Sequence, residues 1–163
     1  LLVQTMYSTT KSICEKLAEQ LAGEGKPVVS MRLASVTGLG EQSEHLIPKL
    51  IDSCIKGTVT PFIGWPTHDF IDVSDVVSAI KLVINKINEV KGLVVNVSSG
   101  KTYTNSEVLS LVEKVTEKKA NISRAISARA YDSHNWNVDN SKLLSLGWLP
   151  KYSLENSIRS MVY

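Results

Sequence analysis

The 163-residue chain is poor in cysteine: Cys14 and Cys54 lie far apart and in no metal-binding spacing. That argues against a disulfide framework and predicts two reduced, buried thiols in a cytoplasmic protein. The three histidines, His45, His68 and His134, form no ligand motif, so no metal site is expected. No apolar run is long enough to span a bilayer. An excess of one charge sign is also lacking: 18 basic and 16 acidic residues leave a formal net charge of +2. Neither nucleic acid nor a membrane surface is therefore expected as the main partner. Internal repeats and low-complexity linkers are missing too. The chain opens on Leu1 rather than Met, so the lack of a targeting signal excludes nothing. What is present is an ordinary apolar fraction, enough for one domain or for half of a larger one.

The stretch with chemical content is Tyr7-Ser8-Thr9-Thr10-Lys11, which runs straight into a helical pattern. Tyr7 and Lys11 are four apart and share a helix face, one turn from each other. A lysine ammonium one turn from a phenol favours the ionised phenol. Such a phenol can take a proton from, or give one to, a substrate oxygen. The same ammonium can bind ribose hydroxyls. Alone, Tyr-x-x-x-Lys fits a half-buried tyrosine and a solvated lysine equally well.

The rest of the chain alternates helices with short apolar strands. Ile13, Leu17 and Leu21 recur at helical spacing from Met6 to Ala22, and Gly23 and Gly25 end that helix. Val28 to Val36 is a nearly continuous apolar run that predicts a buried strand of a parallel sheet. Thr37-Gly38-Leu39-Gly40 follows as a loop at the strand's carboxyl end, where open α/β sheets place ligands. Leu46 to Ile55 predicts a second helix, with Pro48 in its first turn. Val59 to Ile63 predicts a short edge strand interrupted by Pro61, and Phe70 to Val73 another extended piece. Asp72 or Ser74 caps a helix whose apolar stripe is Val76, Val77, Ile80, Val83 and Ile84. Leu93 to Val97 predicts a second buried strand. Thr104 and Glu107 form a capping box for the next helix. Asn121 to Ile126 predicts a strand, Asn140 or Ser141 starts a short helix, and Leu154 to Met161 is the last helix. The class is α/β.

In this order the features resemble the C-terminal half of an extended short-chain dehydrogenase/reductase of the NAD-dependent nucleotide-sugar epimerase/dehydratase type. The resemblance rests on Tyr7-x-x-x-Lys11 with Glu15, on Met31 to Gly38, on His68 to Val76, on Asn96 to Gly100, and on Ser141-Lys142 with Leu146 to Pro150. It covers nearly the whole chain, residues 1–163. It implies the end of a Rossmann-type parallel sheet interleaved with a small α/β substrate-binding domain. The family's N-terminal half carries a glycine-rich fingerprint for the pyrophosphate of NAD or NADP. No Gly-x-Gly-x-x-Gly or Gly-x-x-Gly-x-x-Gly occurs in this sequence, so that half is expected to be absent and the fragment alone to be inactive.

The resemblance also implies roles. Tyr7 is the acid/base beside the nicotinamide, and Lys11 holds the ribose while acting on the phenol. Leu33, Ala34 and Ser35 end the strand that lies against the nicotinamide. Many members have Asn where this chain has Ser35, so its substrate contact competes with a packing role. His45 and Leu46 stand where the family's loop contacts the nucleotide base, and Pro61 and Ile63 on the strand along base and ribose; core packing also explains Leu46 and Ile63. His68 stands where many members have a diphosphate-binding arginine. A histidine cannot make arginine's bidentate fork, and a turn histidine is the competing reading. Arg129 with Asp132 resembles the family's Arg-x-x-Asp pair, against an exposed loop arginine. Arg129 is expected to face the cleft bordered by Ser35 and His68. Trp148 is expected to be structural, and Trp65 and Trp136 to line a pocket. The partners implied are a nucleotide-sugar substrate and a second copy of the chain, meeting through the helix that carries Tyr7. Two alternatives remain: a related NAD(P)-dependent reductase of a non-sugar carbonyl, and a non-catalytic NAD(P)-binding module.

Overall fold

In a computed structural model, which describes residues 5–125 and 133–163, helices and short strands alternate as the periodicity predicts. The elements run α1 (Met6–Gly23), β1 (Ser30–Leu33), β2 (Ser35–Thr37), α2 (Leu46–Lys56), β3 (Thr60–Phe62), β4 (Thr67–Asp72), α3 (Val73–Asn85) and α4 (Ile87–Val90). They continue with β5 (Val94–Val97), β6 (Thr102–Thr104), α5 (Asn105–Thr116), β7 (Ile122–Arg124), α6 (Ser141–Ser145) and α7 (Leu154–Val162). Among the described residues, three parallel pairings, β1 with β5, β2 with β4 and β3 with β7, lie in three separate sheets, and an antiparallel pairing of β4 with β6 extends the β2–β4 sheet. The chain is thus mixed α/β with parallel sheets.

Strand β4 is the seam of the molecule. Successive strand side chains point to opposite faces. Phe70 packs with Ile47, Leu50, Val108, Val112, Leu154 and Ile158, a core built by α2, α5 and α7. Ile71, next along, packs with Val76, Ala79, Val83, Val95, Val97 and Trp148, a core built by α3 and β5. The segment His68 to Val76 also holds three buried carboxylates that act as clamps. Asp69 accepts from the Ser99 N–H and hydroxyl, both at 2.9 Å, and from the Gly100 N–H at 3.1 Å. Burial pushes its carboxyl above the usual range, against the pull of those donors. Asp72 caps α3 at the Ser74 N–H and accepts from Ser157 on α7 at 2.6 Å. Asp75 receives the Lys151 and Tyr152 N–H groups.

Several expectations need correction. Val28 to Val36 is not one buried strand: it breaks at Ala34 into β1 and β2, in different sheets, and none of its residues is buried. The reason is that, among the described residues, β1 pairs on one edge only, with β5, while α1 buries none of its own residues. α1 lies beside the β1–β5 pair, tied by the Arg32 fork to Glu15, with distances of 2.8 and 2.5 Å. Glu15 therefore has a structural partner in Arg32. On α3 only half of the apolar stripe is covered: Val76, Ala79 and Val83 are buried, while Val77, Ile80 and Ile84 are exposed. Cys14 is exposed rather than buried; Cys54 is buried, and both are free thiols. The extended piece at Phe70 begins earlier, at Thr67, and ends at Asp72, because Val73 opens α3. By contrast, Leu93 to Val97 holds as a parallel strand from Val94, with Val95 and Val97 fully buried. The Thr104–Glu107 capping box also forms as expected.

Candidate functional site

A cavity of about 480 Å³ opens between the ends of β2 and β4, the loop into α2, and β3. This is within the range of small-molecule sites. The loop after β2 turns at Gly38, with φ of +138°, where a Cβ would meet Val73 Cγ1 at 2.9 Å. Only glycine fits both the conformation and the space. The turn sends the chain to Glu41, whose carboxylate accepts from the Thr37 hydroxyl at 2.7 Å and stands 3.1 Å from His45 Nδ1. His45 is the N-cap residue of α2 without a side-chain cap bond, so its ring turns to Glu41 instead. Lys49, one turn into α2, pairs with Glu44 at 3.0 Å.

Six of the residues singled out in the sequence line this one cavity: Ser35, His45, Leu46, Pro61, Ile63 and His68. His68 lies within β4, opposite Tyr103 of β6, which corrects the turn reading. Its ring contacts those of Phe70 and Trp136, with centroids 5.8 and 6.1 Å away. Trp136 and Trp65, both about 40% exposed, do not line the cavity; Trp65 stacks on His134 with centroids 4.1 Å apart. Trp148 is buried and donates its indole N–H to Ser78 at 2.8 Å, as its structural reading expects. Arg129 and Asp132 lie outside the described residues.

The sequence reading missed other cavity residues, among them Glu41, Phe70 and Asn105. Asn105 opens α5 and donates its side-chain N–H to the Ile63 carbonyl at 2.8 Å. Its Oδ1 is the buried side-chain oxygen without a partner among the described residues. An acceptor left in that state costs free energy unless a donor meets it. The available signal was its place at the start of α5, directly after the capping Thr104.

Tyr7 and Lys11 are elsewhere. They lie on the first turns of α1, on one face, with Lys11 Nζ 5.4 Å from the centroid of the Tyr7 ring. Tyr7 is 71% exposed. A short stretch of backbone connects the two regions. Leu33 ends β1 half exposed, Ala34 donates its N–H to the Val97 carbonyl at 2.9 Å, and Ser35 already faces the cavity. Among the described residues no group of three or more His, Cys, Asp or Glu could hold a metal ion, and no helix is long and apolar enough to cross a membrane.

Known proteins bear on this arrangement. A trifunctional UDP-glucose 4,6-dehydratase/UDP-4-keto-6-deoxy-D-glucose 3,5-epimerase/UDP-4-keto-L-rhamnose reductase of Arabidopsis thaliana is 29% identical over 98% of this chain and 24% of its own length. A dTDP-D-glucose 4,6-dehydratase of Mus musculus is 26% identical over 96% of this chain and 46% of its own. The solved structure of MoeE5 in complex with UDP-glucose and NAD superposes with a TM-score of 0.86 at 26% identity, over 96% of this chain and 54% of that one. The chain thus spans about half, or less, of the length of the relatives it matches. The profile of the NAD dependent epimerase/dehydratase family matches residues 3–98, more than half of the sequence. The chain belongs to the NAD-dependent epimerase/dehydratase family.

Proposed function

We propose that this chain is the substrate-binding and proton-transferring half of an NAD(P)-dependent epimerase/dehydratase that acts on a nucleotide sugar. The observation that carries the reading is the convergence of Ser35, His45, Leu46, Pro61, Ile63 and His68 on one cavity. These residues come from four separate elements and loops, and were singled out by the family's order alone. Leu46, Pro61 and Ile63 offer apolar walls for a base. Arg129 and Asp132 are expected to complete the diphosphate end, where His68 gives a weaker hold than an arginine fork.

The residues present fit one end of a nicotinamide dinucleotide. Tyr7 and Lys11 share an exposed face, and Leu33 and Ala34 end the strand of the β1–β5 pair. This sequence has no glycine-rich turn for the pyrophosphate, so the other end of the cofactor needs a glycine-rich half like that of the family. When bound, NAD or NADP supplies the hydride chemistry. The protein's part is the proton: the Tyr7 hydroxyl exchanges it with a sugar oxygen, with the Lys11 ammonium 5.4 Å from the centroid of its ring. Ser35 holds the sugar through one hydroxyl.

The test is turnover of Tyr7→Phe in a polypeptide that also carries the glycine-rich half. Turnover is expected to fall about 10²–10⁴-fold, with melting temperature and cofactor affinity kept. Wild-type turnover would remove Tyr7 from catalysis. Lys11→Met is expected to weaken both cofactor affinity and rate.

A further inference from the structure

We propose that Glu41 is a specificity-determining residue of the cavity, whose carboxylate takes a pair of hydrogen-bond donors from the nucleotide. Two parts of a nucleotide carry such a pair: the amide-and-amino edge of guanine and the 2′,3′-diol of a ribose. The inference rests on the nucleotide-sugar reading and narrows it.

Glu41 lines the cavity, yet its side chain is only 8% exposed. It is fixed from two elements. Thr37, itself 2% exposed at the end of β2, donates to Oε2 at 2.7 Å, and His45 at the start of α2 meets Oε1 at 3.1 Å. A carboxylate only accepts, so His45 Nδ1 carries the proton in this pair. An ionised carboxylate has about four acceptor directions. The described partners occupy two and leave capacity toward the cavity. This part of the wall therefore asks for donors.

That demand sorts ligands. A phosphate brings only negative charge and acceptors, so it belongs at the His68 end. Uracil and thymine flank their single N–H with two carbonyls, which set like partial charges against a carboxylate. Guanine's amide N–H and amino group, or two neighbouring ribose hydroxyls, match it. A site built to receive hydrogen bonds rejects analogues lacking the donor, because its buried acceptors are left unpaired.

The test is calorimetric titration of the 163-residue chain with GDP, UDP and 2′-deoxy-UDP, in the wild type and in Glu41→Gln. One of two preferences is expected, each about 10-fold or more. GDP over UDP assigns the pair to the base; UDP over 2′-deoxy-UDP assigns it to the ribose. In Glu41→Gln, which keeps shape but replaces one acceptor with a donor, the preference is expected to shrink to about 3-fold or less. Equal affinities in the wild type overturn the inference, and so does a preference that Glu41→Gln leaves intact. Should Glu41→Gln fail to fold, the wild-type ratios still decide. A wild type that binds none of the three overturns the nucleotide-sugar reading and this inference with it.

Discussion

Leu33 and Ser35 are two residues apart, yet they belong to regions built in different ways. On the Ser35 side the chain encloses a cavity between strands, a helix start and a loop held by a glycine turn. On the Leu33 side it presents an edge: among the described residues β1 pairs only with β5, and Met6, Tyr7, Ile13 and Leu17 of α1 are all more than half exposed. In the proposed reading the enclosed side receives the substrate and the exposed side meets the cofactor.

The sharpest contrast is energetic. Leu50 lies fully buried on α2, whereas Leu17 on α1 is 54% exposed. Leu50→Ala is expected to cost about 2–5 kcal/mol. Leu17→Ala should stay within about 0.5 kcal/mol in this chain. Urea unfolding of both variants checks it; equal losses would mean that α1 is part of the core after all.

A smaller effect is expected at the carboxylates, which titrate in opposite senses on the two sides. Asp69 sits fully buried within β4. Asp69→Asn leaves one oxygen for donors that now use two, and turns an amide toward the Gly100 N–H. A loss of about 1–3 kcal/mol is expected from the thermal melt, and an unchanged melt would show that the clamp contributes nothing. Because burial raises the Asp69 carboxyl, its protonated form is favoured by folding. That contribution is present at low pH and is lost as pH rises through the folded-state value.

Glu15 behaves the other way. The hydrogen bond from Arg32, with its charge, holds the Glu15 carboxyl below the usual range. Its contribution is present above the ordinary glutamate value, near ~4.3, and is lost as pH falls through the folded-state value. The melting difference between wild type and Glu15→Gln should therefore shrink from about pH 6 to about pH 3. The effect is small, because the pair is partly solvated. A difference that grows on acidification would contradict the Arg32 fork.

Much of this was legible in the sequence. α1, α2, α5 and α7 follow from apolar spacing with caps such as Thr104–Glu107, because local hydrogen bonds and one packed face decide a helix. The cavity was legible through order rather than chemistry: Pro61, Ile63 and His68 carry no signal alone. Pairing was harder to read. The run from Val28 to Val36 looks like one buried strand because composition reports apolarity, while burial depends on what lies across the sheet. The exposed half of the α3 stripe, Val77, Ile80 and Ile84, misled for the same reason. The carboxylates Asp69, Asp72 and Asp75 entered as a family signature; their part in the structure is to clamp loops and helix ends. Asn105 escaped notice because its partner, the Ile63 carbonyl, is far away in sequence; Glu41 escaped because it sits in a loop, where its spacing of four from Thr37 and from His45 carries no helical signal.

The proposed reading gives this sequence a cavity for a nucleotide sugar and only part of a cofactor face. The most direct measurement is calorimetric titration of the 163-residue chain with a nucleoside diphosphate sugar and, separately, with NAD. The account predicts saturable binding of the sugar nucleotide and no tight binding of NAD. Micromolar NAD binding without any response to the sugar nucleotide would contradict it.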